Sequence, residues 1–267
     1  MIKTIVTGAA GKMGCRIINI INETEGIKLV GATEKRGSKF VGKDSGELAG
    51  IGKNNISILD DITEIIKGCN VIIDFTSPAS SLEHLYAAAE EKKAIVIGTT
   101  GFSDEHLKKI KDLSKEIRCV FSPNMSVGVN VMFKVLRDMA KILGDEYDIE
   151  IIEAHHRLKK DAPSGTAMRM AEILANSVNR DLSKVGVYAR KGIIGERKKE
   201  EIGIQTIRAG DIVGEHTVMF GGLGERLEIT HKAQSRDNFA RGAVKAALWI
   251  VDRPHGIYDM QDVLELR

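Results

Sequence analysis

The run Glu153-Ala154-His155-His156-Arg157-Leu158-Lys159-Lys160-Asp161-Ala162-Pro163-Ser164-Gly165-Thr166 concentrates residues able to do chemistry. It holds two of the seven histidines and three strong bases, just past an apolar segment. A helical turn here would place His155 and Lys159, four apart, on one face. Neighbouring cations disfavour an imidazolium, so they lower the histidine pKa and ease release of its proton. Ser164-Gly165-Thr166 stands at a predicted helix start behind Pro163, where backbone N–H groups and two hydroxyls suit a carboxylate or phosphate. The paired histidines can equally form a surface turn, and Ser164 can serve only as a helix cap. Zinc is disfavoured, because Glu153, His155 and His156 lack ligand spacing, no cysteine is near, and the adjacent cations repel a metal.

A second cluster lies at the other end of the chain. Gly8-Ala9-Ala10-Gly11-Lys12-Met13-Gly14 follows an apolar strand directly and opens a helix, the context in which glycines bring backbone close to a pyrophosphate. The spacing is GxxGxxG, with Ala10 where GxGxxG has its second glycine. Glu34, after the next strand, can accept hydrogen bonds from the adenosine ribose. The adjacent Lys35 and Arg36 can instead hold a 2′-phosphate, so NAD and NADP both stay open. Gly98-Thr99-Thr100-Gly101 and Ser122-Pro123-Asn124-Met125-Ser126 end two further strands, where ligands of parallel sheets bind. Their small and hydroxyl side chains leave room for a nicotinamide ring and can bond its carboxamide.

The elements that must position these clusters read as two kinds. Strands at Ile2–Thr7, Lys28–Thr33, Val71–Phe75 and Ala94–Gly98 alternate with helices at Gly11–Ile21, Ala79–Lys92 and Ser103–Glu116, which implies βαβ units and a doubly wound, Rossmann-like parallel sheet. The pattern changes after about residue 126. Strands at Asp148–Ala154, Val185–Arg190, Ile202–Ala209, His216–Phe220 and Arg226–Lys232, with a helix at Ser164–Ser177, predict an α+β domain with a mixed or antiparallel sheet. A helix at Asp237–Val251, carrying Trp249, could close either domain. The charged segment Lys191–Glu201 reads as a solvated loop or as a mobile loop near an anionic ligand.

Composition sets the bounds. A length of 267 residues is enough for roughly two domains. With 39 Lys plus Arg against 37 Asp plus Glu, the net charge of +2 lacks the basic excess of a nucleic-acid binder. Cys15, Cys69 and Cys119 are scattered, odd in number and outside any CxxC motif, as expected of reduced thiols in the cytoplasm. No targeting segment opens the chain, and no run nears the roughly 20 apolar residues of a membrane helix.

A nucleotide cleft together with a proton donor and a carboxylate clamp suits hydride transfer to a small anionic substrate. The motif EAHHRLKKDAPSGTA from Glu153 closely resembles the signature of the dihydrodipicolinate reductase (4-hydroxy-tetrahydrodipicolinate reductase) family, enzymes of the diaminopimelate route to lysine. VTGAAGKMG from Val6, DFTSP from Asp74, GTTGF from Gly98, PNMSVGVN from Pro123, RAGDIVGEHTV from Arg208 and GERLEITHKAQSR from Gly224 extend the resemblance over essentially the whole chain. It implies reduction of a cyclic dicarboxylate by NADPH or NADH with loss of water, His155 donating the proton and Lys159 assisting. It also implies that His156, Lys159, Ser164, Gly165 and Thr166 bind the substrate carboxylates. Gly8, Ala9, Ala10, Gly11, Lys12, Met13, Glu34, Lys35, Gly98, Thr99, Thr100, Ser122, Pro123, Asn124 and Met125 would line the cofactor. The dinucleotide-binding domain would comprise residues 1–126 with 237–267, and residues 127–236 would bind substrate and build a homotetramer, the Lys191–Glu201 loop reaching a neighbouring subunit. Lys12 stands where arginine is common, Pro123 replaces a small residue of some members, and Arg36 adds a base that favours NADP; these departures bear on cofactor preference. Another Rossmann reductase of a small amino or imino acid would need a different second-domain motif. A silent dinucleotide sensor would have no need of His155 or Lys159.

Overall fold

A computed structural model describes residues 1–267. The first elements are β1 (Ile2–Thr7), α1 (Lys12–Glu23), β2 (Ile27–Thr33), α2 (Ser45–Ala49), β3 (Ile58–Leu59), β4 (Val71–Asp74), α3 (Pro78–Glu90), β5 (Ala94–Ile97), α4 (Asp104–Leu113) and β6 (Arg118–Phe121). There follow α5 (Val127–Leu143), β7 (Asp148–His155), α6 (Gly165–Ser177), α7 (Leu182–Val185), β8 (Gly186–Val187), β9 (Ile202–Arg208), β10 (Gly214–Gly221) and β11 (Arg226–Ala233). The last are α8 (Asp237–Ile250), β12 (Gly256–Tyr258) and α9 (Met260–Val263). No helix is long and apolar enough to cross a membrane. The chain divides into two compact units, residues 1–127 with 236–267, and residues 128–235.

The first unit is built on a seven-stranded sheet in the order β12-β6-β5-β4-β1-β2-β3, with every pairing parallel. Its central strands are apolar without alternation: every residue of β4 and β5 is buried, as a sheet covered on both faces requires. On α1, Ile17, Ile18, Ile20 and Ile21 form the buried stripe. Helix α8 approaches through small residues, among them Ala243, Ala246 and Ala247. Gly242 lets this helix touch the β6–α5 connection, since a Cβ there would lie 1.7 Å from the Met125 carbonyl oxygen. The strand order reverses direction at β1 and β4, whose carboxyl ends are where open parallel sheets bind ligands.

The second unit carries a mixed sheet in the order β11-β10-β7-β9-β8. Strand β10 is antiparallel to β7 and β11, whereas β7 and β8 are parallel to β9. Ile149 and Ile151 of β7, Val218 and Phe220 of β10, and Ile202 and Ile204 of β9 bury one face against α5 and α6. The doubly wound sheet and the mixed α+β sheet are the architecture that the alternation of elements predicts.

Two local expectations need correction, and one helix has no counterpart among them. The strand expected over Val185–Arg190 is pairing-competent only at Gly186–Val187, because α7 runs into it and Arg190 turns away to ion pairs with Glu150 and Glu201 at 2.9 and 3.1 Å. No helical turn follows His155. The β7 ladder runs through His155, and the His156 and Arg157 N–H groups then donate to Ile212 and Gly210 carbonyls, so the chain leaves in a loop. Helix α5 was not expected, although Val129, Met132, Phe133, Leu136 and Ala140 bury one face with helical spacing.

Candidate active site

In the first unit the glycine loop joins β1 to α1. Gly8 has φ of +62°, a left-handed conformation that glycine adopts without strain, and a Cβ there would stand 2.9 Å from Thr76 Cγ2. A Cβ on Gly14 would lie 2.2 Å from the Gly8 carbonyl oxygen, so this glycine permits the helix to pack directly on the loop. Glu34 follows β2 and reaches back to the loop: one carboxylate oxygen accepts from the Ala10 N–H at 3.2 Å, the other from the Lys35 N–H at 3.1 Å. Gly8, Gly11, Glu34, Lys35, Arg36 and His84 line one cleft at the ends of β1, β2 and β4. Arg36 is exposed and pairs with Asp61 at 3.3 Å. Lys12 is exposed on the first turn of α1, Ala9 is buried, and Met13 packs against the core. A loop with no room for a side chain at Gly14, opening a helix and facing a carboxylate, fits a dinucleotide.

At the other two strand ends the Thr99 and Ser122 hydroxyls are engaged within the fold. The Thr99 hydroxyl faces inward, donating to Asp74 Oδ1 at 3.1 Å and accepting from the Thr76 N–H at 2.9 Å. Gly98 packs under the Phe75 ring, 2.2 Å from where a Cβ would stand, whereas Thr100 is exposed. Ser122 donates to the Asn124 carbonyl at 3.0 Å, Asn124 Oδ1 accepts from the Ser126 N–H at 2.9 Å, Pro123 is exposed, and the Met125 side chain lies in the core. Asp74 is the hub of this end of the unit. Its fully buried carboxylate accepts from the Thr76 N–H and hydroxyl, the Ser81 hydroxyl, the Thr99 hydroxyl and His84 Nδ1. Burial pushes this carboxyl up, and His84 with the Thr76 and Ser81 hydroxyls outweighs it, holding the group below its ordinary value.

In the second unit the EAHH motif forms the end of β7. Period-2 alternation puts Glu153 and His155 on one face, and His155 Nδ1 is 2.7 Å from Glu153 Oε2. The Glu153 carboxylate is fully buried and also accepts two N–H bonds from Arg208, at 2.7 and 2.8 Å, and the Ser164 N–H at 2.9 Å. Burial raises the Glu153 carboxyl, but Arg208, His155 and the Ser164 amide hold it at about 2. The His155 pKa is lowered, first by burial, with Lys159 and Arg208 adding to the effect and Glu153 opposing it. The direction matches the sequence expectation, but burial rather than neighbouring cations is the main cause. A Cβ at Gly214 would lie 3.1 Å from His155 Nε2, so this glycine keeps the space beside that nitrogen open.

Around this pair, Ser164 is the buried N-cap of α6, its hydroxyl accepting from the Ala167 N–H at 3.1 Å and lying 3.0 Å from His216 Nε2. Gly165 opens the helix with nothing within 4 Å of a would-be Cβ, and Thr166 follows it. Lys159 sits past the turn closed by its N–H to the His156 carbonyl and pairs with Asp161 at 2.9 Å. His156 has a buried Nδ1 with no partner. His216 crosses His155 edge to face at 5.2 Å and is pushed down to about 4, chiefly by burial. The motifs by themselves give no role to Arg208, His216, Asp74 or His84; a period-2 reading of β7, β9 and β10 finds the first pair.

The family profile described as dihydrodipicolinate reductase, N-terminus, matches residues 2–125, and that described as dihydrodipicolinate reductase, C-terminus, matches residues 128–264. The chain is 58% identical to the 4-hydroxy-tetrahydrodipicolinate reductase of Syntrophus aciditrophicus and 57% identical to that of Geotalea uraniireducens, over 100% of both chains in each case. A dipicolinate-bound dihydrodipicolinate reductase from Paenisporosarcina sp. TG-14 shares the fold, with a TM-score of 0.76 at 24% identity over 98% of each chain. With both profiles matched in order and relatives this similar from end to end, the chain belongs to the dihydrodipicolinate reductase family.

Proposed function

We propose that the protein reduces 4-hydroxy-tetrahydrodipicolinate to tetrahydrodipicolinate with NADPH or NADH, releasing water, in the diaminopimelate route to lysine. One arrangement carries this function: the His155 imidazole, backed by the buried Glu153 carboxylate, with Lys159 and the start of α6 beside it. A bound reduced nicotinamide supplies the hydride. The glycine loop, Gly8 to Met13, would hold its pyrophosphate, Glu34 the adenosine ribose, and Lys35 the 2′-phosphate when present. Residues 98–100 and 122–125 would border the nicotinamide end through their backbone, because the Thr99 and Ser122 hydroxyls are already engaged.

His155 donates from Nε2. That N–H bond breaks as the substrate ring gains the electron pair, and the imidazole keeps the lone pair. A lowered pKa makes the imidazolium a stronger acid, and a bound dianion beside it would restore enough proton occupancy for it to act. Lys159 offsets the substrate's charge, while His156, Gly165 and Thr166 would hold its carboxylates at the helix start. Ser164 supports that start from inside, as its cap.

The same reading makes residues 1–127 with 236–267 the nucleotide unit and the second unit the substrate-binding and oligomerising one. Exposed apolar residues of that unit, Ile193, Ile194, Ile207 and Leu227, support a homotetramer, which light scattering after gel filtration tests. Cys15, Cys69 and Cys119 are all free, which fits a reducing cytoplasm. The deciding assay follows NADPH, then NADH, oxidation with substrate made in situ from pyruvate and aspartate semialdehyde by the preceding enzyme. Rapid, substrate-dependent oxidation is expected; cofactor binding without oxidation would refute the function. Lys159→Ala should cut kcat by about 10²-fold or more while NADPH still binds, and near-normal turnover would remove Lys159 from the mechanism.

A further inference from the structure

The carboxylate behind His155 does more than neutralise a cation. Glu153 is fully buried near the end of β7, paired in register with Thr206 of β9, and its two oxygens face different sets of donors. Oε1 receives the Ser164 N–H, Arg208 Nη2 and, at 3.3 Å, the Thr206 hydroxyl. Oε2 receives His155 Nδ1 and Arg208 Nη1. Arg208 holds the carboxylate in a two-pronged grip and also donates to the Ile207 and Asp161 carbonyls, each at 2.7 Å, so one guanidinium ties β9 to the carboxylate and to the loop that carries Lys159. With both oxygens fixed, an ionised Glu153 can only accept, and the imidazole nitrogen it faces must therefore be an N–H.

We infer that Glu153, gripped by Arg208, is a positioning residue that confines neutral His155 to the Nδ1–H tautomer and so makes Nε2, in the space left by Gly214, the one nitrogen that exchanges the reaction's proton. This rests on the proposed reductase reaction for its kinetic consequence but not for the tautomer itself. The charged and titratable groups around His155 are Glu153 on β7, Arg208 on β9, His216 on β10, and Lys159 with its partner Asp161 on the loop. Among them only Glu153 is placed to accept from Nδ1.

Glu153→Gln tests the inference sharply. The new amide cannot present oxygen at both positions. The Oε1 position faces three donors and the Oε2 position two, one of which is an imidazole that can switch to accepting. The glutamine NH₂ therefore takes the Oε2 position, and His155 flips to Nε2–H. In nitrogen-15 NMR spectra of histidine-labelled protein without substrate, at a pH where His155 is neutral, the wild-type signal should be Nδ1-protonated and the variant signal Nε2-protonated. His155→Gln identifies the resonance. Steady-state kinetics should show kcat lowered about 10²-fold with KM changed only a few-fold. Arg208→Lys keeps the charge but loses the two-pronged grip; it should retain the Nδ1–H tautomer and lose only a few-fold in kcat. If Glu153→Gln does not fold, Glu153→Asp withdraws the carboxylate by about one bond length, 1.5 Å, and should leave both tautomers populated. An Nε2–H signal in the wild type, or an unchanged tautomer in the folded Glu153 variants, overturns the inference. Loss of activity in the wild type would instead overturn the proposed function and leave the tautomer result standing.

Discussion

Replacing Asp74 tests how far one buried carboxylate organises the nucleotide unit. Five bonds converge on it, four on Oδ1 from Thr76, Ser81 and Thr99, and one on Oδ2 from His84. In Asp74→Asn the amide oxygen can keep the four donors, because the Thr76 N–H is fixed, while the amide nitrogen turns to His84. What is lost is charge assistance: a hydrogen bond to an ionised acceptor contributes about 1.5–3 kcal/mol against about 1 for a neutral one. Relief of the carboxylate's desolvation returns part of that loss. The net expectation is destabilisation by about 2 kcal/mol at neutral pH. Asp74→Ala removes the acceptor altogether. The Thr76 N–H and Ser81 hydroxyl still reach Thr99 Oγ1, at 2.9 and 2.8 Å, so only some donors are stranded, and about 4 kcal/mol is expected. The assay is urea unfolding at fixed chain concentration, followed by fluorescence of Trp249, the only tryptophan, which lies in α8 of the same unit. The pH dependence has a fixed sign. Because the folded Asp74 carboxyl is held below its ordinary value of 3.8, its contribution is present above about that pH and is lost as pH falls further. The gap between wild type and Asp74→Asn should therefore shrink as pH falls from about 5 towards 3. A gap under about 0.5 kcal/mol at pH 7, or one that does not shrink in acid, would refute the assignment of a working charge to Asp74.

Three further outcomes are expected. Gly14→Ala must move α1 by about 1 Å to relieve a 2.2 Å approach to the Gly8 carbonyl oxygen; calorimetric titration should show NADPH affinity reduced by more than tenfold, and an unchanged affinity would mean the loop does not hold the pyrophosphate. Glu34→Ala should weaken NADH more than NADPH, since the ribose hydroxyl contact matters when no phosphate is present; equal losses would show that Glu34 serves only the Ala10 N–H. Gly214→Ala places a methyl 3.1 Å from His155 Nε2, so kcat should fall roughly tenfold in stopped-flow single turnovers while cofactor affinity holds, and an unaffected rate would mean that Nε2 does not face the substrate.

The parallel sheet was readable because strands covered on both faces are apolar throughout, and β4 and β5 fit no other environment. Helix α5 was hidden for a chemical reason: it begins at Val127-Gly128-Val129, and β-branched residues and glycine are poor helix formers, so only packing of Met132, Phe133 and Leu136 commits the segment. Strand β12, with three residues beside β6, exists through its neighbour and has almost no local signature. The site divides in the same way. His155, Lys159 and Ser164 stand in one continuous motif, whereas Arg208 and His216 reach Glu153 and Ser164 only through strand register. Residue type alone does not show which way the Thr99 and Ser122 hydroxyls turn: that depends on the nearest acceptor, which for Thr99 is Asp74 on a neighbouring strand and for Ser122 is the Asn124 carbonyl two residues on.

Because the second unit interrupts the first between residues 127 and 236, synthesis on a ribosome cannot follow the order of the architecture. Residues 128–235 are all translated while the first unit still lacks α8, β12 and α9. During that interval the Ile17, Ile18 and Ile21 stripe of α1 has no α8 to cover it, and β6 is an unprotected sheet edge until Gly256–Tyr258 emerge. The nascent nucleotide unit is therefore the vulnerable partner in biogenesis. A chaperone that shields apolar helices and open strand edges would find its target in the N-terminal portion of the growing chain, and would be displaced when the returning C-terminal segment docks.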